Sequence, residues 1–233
     1  MRTTSFLPRL YAIVDAQVLA KHRVGLEDFA SELRAAGVGL AQYRDKAGSP
    51  HEVLRAATLL RAVFAGGDKP NERCDGGVPI VGCPDLHVAP LLVMNDRADL
   101  AVLAEFDGVH VGQRDLLPED ARHVVGASKL VGVSTHTEEQ VRVAERSSAD
   151  YVAIGPVFAT GTKANAEQVV GLDGVRRARA LTRKPLVAIG GITRENARSL
   201  IDAGADSVAV ISGLFVAGES VEKVARDFIE LLA

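Results

Sequence analysis

Short runs of β-branched and aliphatic residues alternate along the chain with amphipathic stretches long enough to form helices. Eight runs are candidate strands: Leu10–Asp15, Gly39–Arg44, Leu91–Asn95, Gly108–Val111, Leu130–Ser134, Tyr151–Gly155, Leu186–Ile189 and Ser207–Ile211. The amphipathic stretches are Leu26–Ala36, Val53–Phe64, Glu138–Arg146, Val175–Leu181, Arg194–Ala203 and Val221–Leu232. Strands that alternate with helices are typical of βα units and a parallel sheet.

Eight such repeats favour one closed α/β structure, a (β/α)₈ TIM barrel, over an open doubly wound sheet, which usually ends at about five or six strands. The length of 233 residues suits a single barrel domain covering residues 1–233. The Gly- and Pro-rich segment Ala65–Pro90 breaks the alternation. It predicts an insertion before the third strand, with a structural or assembly role, at the end of the barrel opposite the active site.

Composition narrows the class of partner. A net charge of −3 and an aromatic content of 4% argue against a nucleic-acid-binding surface. No run is apolar enough for a signal peptide or a membrane span, which predicts a cytoplasmic protein with no membrane partner. Cys74 and Cys83 lack companion ligands for zinc and are predicted to be free thiols. The sequence is compatible with a homo-oligomer and does not fix the oligomeric state.

Polar residues cluster at the carboxyl ends of the strands, where this fold places its chemistry. Gln42, Arg44 and Lys46 alternate onto one side of the second strand, and an amide with two cations suits a phosphorylated ligand. Asp96 and Asp115 follow the neighbouring third and fourth strands. Two carboxylates with substrate phosphate oxygens commonly hold Mg²⁺. The alternative is that each aspartate caps a helix.

The other strand ends predict further ligand contacts. Ser134 can bond a ligand, whereas His110 lies within its strand and is predicted to be a core or supporting residue. After the sixth strand, Thr160, Gly161, Thr162 and Lys163 form a loop able to wrap anionic oxygens. Glycines at Gly190–Gly191 and in Ile211-Ser212-Gly213 let a phosphate approach backbone N–H groups. Two anion-binding regions are therefore predicted, one metal-assisted and one a plain phosphate cradle.

From Leu10 to Phe215 the chain resembles the thiamine-phosphate synthases. The resemblance rests on ordered motifs: Gln42-x-Arg44-Asp45-Lys46, Asn95-Asp96-Arg97-x-Asp99, Gly108-Val109-His110-Val111-Gly112-Gln113-x-Asp115, Gly132-Val133-Ser134-x-His136, Gly155-Pro156-Val157-Phe158-x-Thr160-x-Thr162-Lys163 and Ile189-Gly190-Gly191-Ile192. It implies that an aminopyrimidine methyl diphosphate is coupled to a thiazole phosphate, giving thiamine phosphate and diphosphate.

The resemblance also implies residue roles. The aminopyrimidine diphosphate would be held by Gln42, Tyr43, Arg44, Asp45, Lys46, Asn95, Ser134 and Lys163. The thiazole phosphate would be held by Thr160, Gly161, Thr162, Gly191, Ile211 and Ser212, and the cofactor Mg²⁺ by Asp96 and Asp115. The implied mechanism is ionisation first, in which Mg²⁺, Arg44 and Lys163 stabilise the departing diphosphate and no general base is needed.

Three features depart from the family pattern: the Ala65–Pro90 insertion, Ala159 where Pro is common, and Gly213 where Ala is common. Two alternative functions remain. A thiazole tautomerase would bind thiazole phosphate without needing Asn95, Asp96, Asp115 and Lys163 together. A non-catalytic phosphate-binding barrel would bind without turnover. Release of pyrophosphate in the presence of both substrates separates the three.

Overall fold

Eight parallel strands close into a barrel in the computed structural model, which describes residues 7–66, 90–159 and 168–233. The strands are β1 (Leu10–Asp15), β2 (Leu40–Arg44), β3 (Leu91–Asn95), β4 (Gly108–Val111), β5 (Leu130–Thr135), β6 (Tyr151–Ile154), β7 (Leu186–Ile189) and β8 (Ser207–Val210). Each strand pairs with the next, and β8 pairs with β1. The predicted barrel fold is confirmed. Cys74, Cys83 and most of the predicted insertion lie outside the described residues.

Helices surround the barrel: α1 (Ala16–His22), α2 (Leu26–Ala35), α3 (Pro50–Ala65), α4 (Ala98–Leu103), α5 (Pro118–Val125), α6 (Glu138–Arg146), α7 (Gly171–Leu181), α8 (Arg194–Asp202) and α9 (Val221–Leu232). The sequence pattern did not predict α1, α4 and α5, because helices of six to eight residues are too short for a helical period to stand out. Within the described ranges, no helix has the length and apolar character needed to cross a bilayer.

Alternation along the strands divides the apolar residues into two cores. One set, which includes Tyr11, Val93 and Tyr151, fills the inside of the barrel. The intervening strand residues pack outward against the helices, where Phe29 and Phe228 are fully buried. Strands buried on both faces in this way explain the nearly continuous apolar runs in the sequence.

Three aspartates fasten the end of the barrel at which the strands begin. Asp107, Asp150 and Asp206 each directly precede an even-numbered strand, and each accepts a backbone N–H of the preceding odd-numbered strand at 2.8 Å. Arg122 and Arg179 form ion pairs with Asp150 and Asp206. These contacts hold neighbouring strands in register at this end, while the opposite end carries the polar strand-end residues.

Candidate active site

A pocket opens inside the barrel where the strands end. Its polar wall comes from β1 to β5, and consists of Tyr11, Gln42, Arg44, Asn95, His110 and Ser134. Its apolar lining comes mainly from β6 to β8 and the residue after β8, and consists of Ile13 of β1 together with Ala153, Val187, Ile189, Ala209 and Ile211. The structure therefore brings together five residues named from the sequence: Gln42, Arg44, Asn95, Ser134 and Ile211. The pocket is small, with a volume of about 30 Å³, and its combination of polar and apolar walls suits the edge of a planar ring that carries polar substituents.

Arg44 is held at the rim of this pocket by Asp15, a residue that the sequence reasoning missed. The two side chains form an ion pair in which Asp15 is 1% exposed and Arg44 is 13% exposed. The other oxygen of Asp15 accepts the backbone N–H groups of Gln17 and Val18, both at 3.0 Å, and so caps α1. The signal was a carboxylate ending a strand directly before a helix.

Asp96 and Asp115 meet at the mouth of the barrel. The Asp96 carboxylate lies against the Asp115 carboxylate and also pairs with Lys46. Burial raises the pKa of Asp96, and Asp115 adds to the rise while Lys46 opposes it. Neither aspartate caps a helix: the residues that precede α4 and α5 are Arg97 and Leu117, so the capping alternative fails.

The backbone at Asp96 is strained, with a φ of 61° that residues other than glycine seldom adopt. Such strain is held in place by surrounding contacts and is common at functional sites. Within the described ranges, no three His, Cys, Asp or Glu side chains converge as a self-sufficient metal site. A cation held by Asp96 and Asp115 would therefore take its other ligands from substrate and water.

Asn95 presents an unused donor to the pocket. Its side-chain Nδ2 is buried and has no hydrogen-bond partner in the part of the chain that the structure describes. A buried donor without an acceptor costs on the order of 1–3 kcal/mol. An acceptor atom of a ligand in the pocket would recover that cost.

A second cleft lies beside the first, where β7 and β8 end. It has a volume of about 390 Å³ and is lined by Gly191, Ser212 and Gly213 together with the start of α8. Gly191 has a φ of 65°, and a Cβ there would lie 2.6 Å from the carbonyl oxygen of Ala159, so only glycine fits. Backbone N–H groups at a helix start attract anions. The predicted phosphate cradle thus coincides with a real cleft.

The structure does not bring every predicted residue to a pocket. Tyr43 belongs to the outer core that faces the helices, because alternation places it on the opposite side of β2 from Gln42 and Arg44. The Asp45 carboxylate accepts the backbone N–H groups of the two residues before Ser49, at 2.9 and 2.8 Å, and shapes the turn into α3. Thr160, Gly161, Thr162 and Lys163 lie outside the described residues.

Two tyrosines that the sequence reasoning also missed lie at the base of the site: Tyr11 lines the pocket, and Tyr151 is buried behind it. The hydroxyl groups of Tyr11 and Tyr151 lie 2.9 Å apart, and the Tyr151 hydroxyl is 3.0 Å from Nδ1 of His110. Both tyrosines are buried inside the barrel. His110, predicted as a core or supporting residue, contacts Ser134 through its other nitrogen at 2.8 Å. The polar wall is therefore backed by a layer of buried hydrogen bonds.

Comparison with known proteins gives a consistent result. Residues 86–214 match the family model described as thiamine monophosphate synthase. A thiamine-phosphate synthase from Koribacter versatilis is 50% identical over 97% of this chain and 96% of its own. One from Chloroflexus aurantiacus is 37% identical over 97% and 93%. The solved structure of a thiamine phosphate pyrophosphorylase from Pyrococcus furiosus superposes with a TM-score of 0.77 at 27% identity, over 97% of this chain and 95% of that one.

Proposed function

The chain belongs to the thiamine-phosphate synthase family, transferases that form thiamine phosphate, and from this we propose how its own residues perform the transfer. The substrates are 4-amino-2-methyl-5-(diphosphooxymethyl)pyrimidine and a thiazole phosphate, and the products are thiamine phosphate and diphosphate. The observation that carries the proposal is the pairing of two anion-binding regions at one barrel mouth. Arg44, Lys46, Asp96 and Asp115 form one, and the glycine-lined cleft forms the other.

In this proposal the aminopyrimidine ring enters the pocket inside the barrel. Gln42 and Ser134 offer it hydrogen bonds from the polar wall, and the aliphatic wall covers a face of the ring. The diphosphate lies at the rim, within reach of the cations Arg44 and Lys46, while Asn95 donates its unused N–H to the substrate. The thiazole phosphate is assigned to the cleft, with Gly191 and Ser212 at the phosphate. Ile211, the residue before Ser212, lies on the wall of the pocket.

The two carboxylates fit Mg²⁺ as the cofactor. Asp96 and Asp115 are adjacent, and two carboxylates with substrate oxygens and water satisfy its preference for oxygen ligands. A Mg²⁺ ion bound there would neutralise charge on the leaving diphosphate. Lys46 pairs with Oδ2 of Asp96, so Lys46 and a bound cation would share this carboxylate.

The transfer breaks the bond between the pyrimidine methylene carbon and the diphosphate oxygen, and the electron pair leaves with the diphosphate. Arg44 stabilises that developing charge from a position set in advance by Asp15. The thiazole nitrogen then forms the new carbon–nitrogen bond. Lys163, Thr160, Gly161 and Thr162 are proposed contributors on the basis of their sequence motif alone, with Lys163 acting on the diphosphate.

The partners in this proposal are small molecules, and the proposed location is the cytoplasm. The net charge of −3 supports an absence of nucleic-acid partners. A tautomerase or a non-catalytic barrel is not favoured, because the Koribacter versatilis and Chloroflexus aurantiacus relatives are both thiamine-phosphate synthases. In addition, neither alternative function needs the carboxylate pair.

The test is release of pyrophosphate by the purified chain with both substrates, with each substrate alone, and over a range of Mg²⁺ concentrations. Turnover should require both substrates and Mg²⁺. Asp96→Ala and Asp115→Ala should each lower turnover at limiting Mg²⁺ by on the order of 10²-fold, since a ligand of a shared ion is lost. Asp120→Asn, an exposed carboxylate on α5, is the matched control and should behave as wild type.

Each alternative has its own signature in this assay. Conversion of thiazole phosphate without the pyrimidine diphosphate would indicate a tautomerase. Binding of both phosphates without pyrophosphate release would indicate a non-catalytic barrel. Normal folding and near-wild-type turnover of both aspartate variants at limiting Mg²⁺ would remove the metal assignment.

A further inference from the structure

A chain of hydrogen bonds crosses the barrel beneath the pocket and joins two residues on well-separated strands. Gln42 on β2 donates from Nε2 to the Tyr11 hydroxyl at 2.7 Å. The Tyr11 and Tyr151 hydroxyl groups are 2.9 Å apart, and the Tyr151 hydroxyl lies 3.0 Å from Nδ1 of His110. His110 Nε2 is 2.8 Å from the Ser134 hydroxyl on β5. We call these five side chains the relay.

Gly132 makes the relay sterically feasible. In the sheet register, His110, Gly132 and Tyr151 lie side by side on β4, β5 and β6. A Cβ on residue 132 would lie 2.0 Å from a ring atom of Tyr151. The absence of a side chain on β5 therefore lets the Tyr151 ring extend across that strand and reach His110.

The donor and acceptor roles within the relay are linked. Both tyrosines are buried, and burial raises the pKa of each phenol, so each hydroxyl keeps its single proton at neutral pH. Tyr11 accepts from Gln42 and therefore donates to Tyr151, since the opposite direction would leave its buried O–H without an acceptor among the described residues. Tyr151 then donates to Nδ1 of His110.

The remaining steps follow from the histidine tautomer. With Nδ1 as acceptor, the neutral ring carries its proton on Nε2 and donates to the Ser134 oxygen. The Ser134 hydroxyl proton is then left for a ligand. At the other end Gln42 uses one of its two amide N–H groups for Tyr11, and this bond fixes the amide so that Oε1, on the other side of the amide carbon, can accept from a ligand. The two ends have opposite polarity because every donor in the chain points the same way, from Gln42 towards Ser134.

We propose that Tyr11, Tyr151 and His110 are positioning residues that set Gln42 to accept and Ser134 to donate, and so select the amino form of the pyrimidine. This inference rests on the proposed assignment of the pocket to the pyrimidine ring. In a 4-aminopyrimidine the amine donates and ring nitrogen N1 accepts, on opposite sides of the ring. The two relay ends, on β2 and β5, both line the pocket, so that one can face the amine and the other the ring nitrogen. A 4-oxo ring presents an acceptor in place of the amine and meets like polarity.

The test measures binding of unreactive ligands, so that the result does not depend on how easily the pyrimidine loses its diphosphate. The probes are the unreactive monophosphates of the 4-amino and the 4-oxo hydroxymethylpyrimidines, and the readout is the ratio of their inhibition constants. Tyr151→Phe and Tyr11→Phe each interrupt the relay and leave the barrel volume almost unchanged. Thr135→Val is the matched control, because its buried hydroxyl bonds the Ala153 carbonyl at 2.8 Å and is absent from the pocket lining.

Wild-type protein should bind the amino compound at least tenfold more tightly, which is about the value of one good hydrogen bond. Each Tyr→Phe variant should lower that ratio at least fivefold, because Gln42 and Ser134 can then reorient independently. The inhibition constant of inorganic pyrophosphate should stay unchanged, and so should the ratio in Thr135→Val. Circular dichroism and thermal melts identify any variant that does not fold. If one tyrosine variant does not fold, the ratio measured on the other tyrosine variant tests the inference.

An unchanged ratio in a folded tyrosine variant would overturn the inference and reduce the tyrosines to space-filling. A wild-type ratio near one would overturn it as well. Absence of pyrophosphate release by wild-type protein with both substrates contradicts the proposed function instead. The two failures are distinguishable, because the binding ratio and the release of pyrophosphate are measured separately.

Discussion

Asp15 should contribute both to stability and to the placement of Arg44, and two substitutions separate these contributions. Asp15→Ala removes the cap of α1 and the partner of Arg44 together. Asp15→Asn keeps a side-chain oxygen for the two backbone N–H groups of the cap but removes the charge. The expected order of unfolding free energy is therefore wild type, then Asp15→Asn, then Asp15→Ala.

The magnitudes follow from the geometry. Loss of a helix cap costs about 1 kcal/mol. An ion pair with one partner removed costs about 3–5 kcal/mol when buried, and the low end applies because Arg44, at 13% exposure, still reaches the barrel mouth. Asp15→Ala should therefore lose about 4 kcal/mol. Asp15→Asn should lose about 1.5–3 kcal/mol, which is the range for a hydrogen bond to a charged group.

Urea unfolding followed by circular dichroism measures these losses, and steady-state pyrophosphate release measures the effect on Arg44. Asp15→Asn should lower kcat/KM for the pyrimidine diphosphate about tenfold, because the guanidinium is no longer fixed, and should leave the KM of thiazole phosphate unchanged. Asp150→Asn is the matched control: Asp150 pairs with Arg122 at the other end of the barrel, so stability should fall while turnover stays normal. Equal stability of the two Asp15 variants, or equal activity loss in Asp150→Asn, would refute the reasoning.

Three further predictions concern the rest of the site. Lys163→Ala should lower turnover by on the order of 10²–10³ with a smaller change in pyrimidine diphosphate KM; a raised thiazole phosphate KM with intact turnover would move Lys163 to the other anion region. Gly132→Ala should lose about 1–3 kcal/mol in urea unfolding, because its methyl group overlaps the Tyr151 ring; unchanged stability would contradict the close packing. The pKa of Asp96 is higher in the folded protein than the value of about 3.9 in the unfolded chain. Its contribution to the free energy of unfolding is therefore fully present below the unfolded pKa and is lost as the pH rises through the folded pKa. Asp96→Asn should therefore be at least as stable as wild type at pH 7 yet nearly inactive, and a less stable variant in urea unfolding at that pH would count against this sign.

The order of the strands and the clustering of polar residues at their ends were predictable from local sequence. Short, nearly continuous apolar runs mark buried parallel strands, side chains alternate between the two faces of each strand, and a barrel places all the strand ends at one mouth. Gln42, Arg44 and Asn95 could therefore be assigned to one pocket without a structure. The same rule, applied strictly, would have placed Tyr43 on the helix-facing side of β2, where the structure has it. The resemblance to the family instead implied that Tyr43 binds the substrate.

Tertiary structure alone decided which polar groups satisfy one another. Tyr11 and Tyr151 are 140 residues apart, and nothing local in either strand indicates that their hydroxyl groups meet. The partnership of Asp15 with Arg44 likewise depends on the register of β1 against β2. Alternation along a strand shows which residues share a face, whereas a hydrogen bond or an ion pair depends on distances of about 3 Å between side chains of different strands. Those distances are set only when the barrel closes.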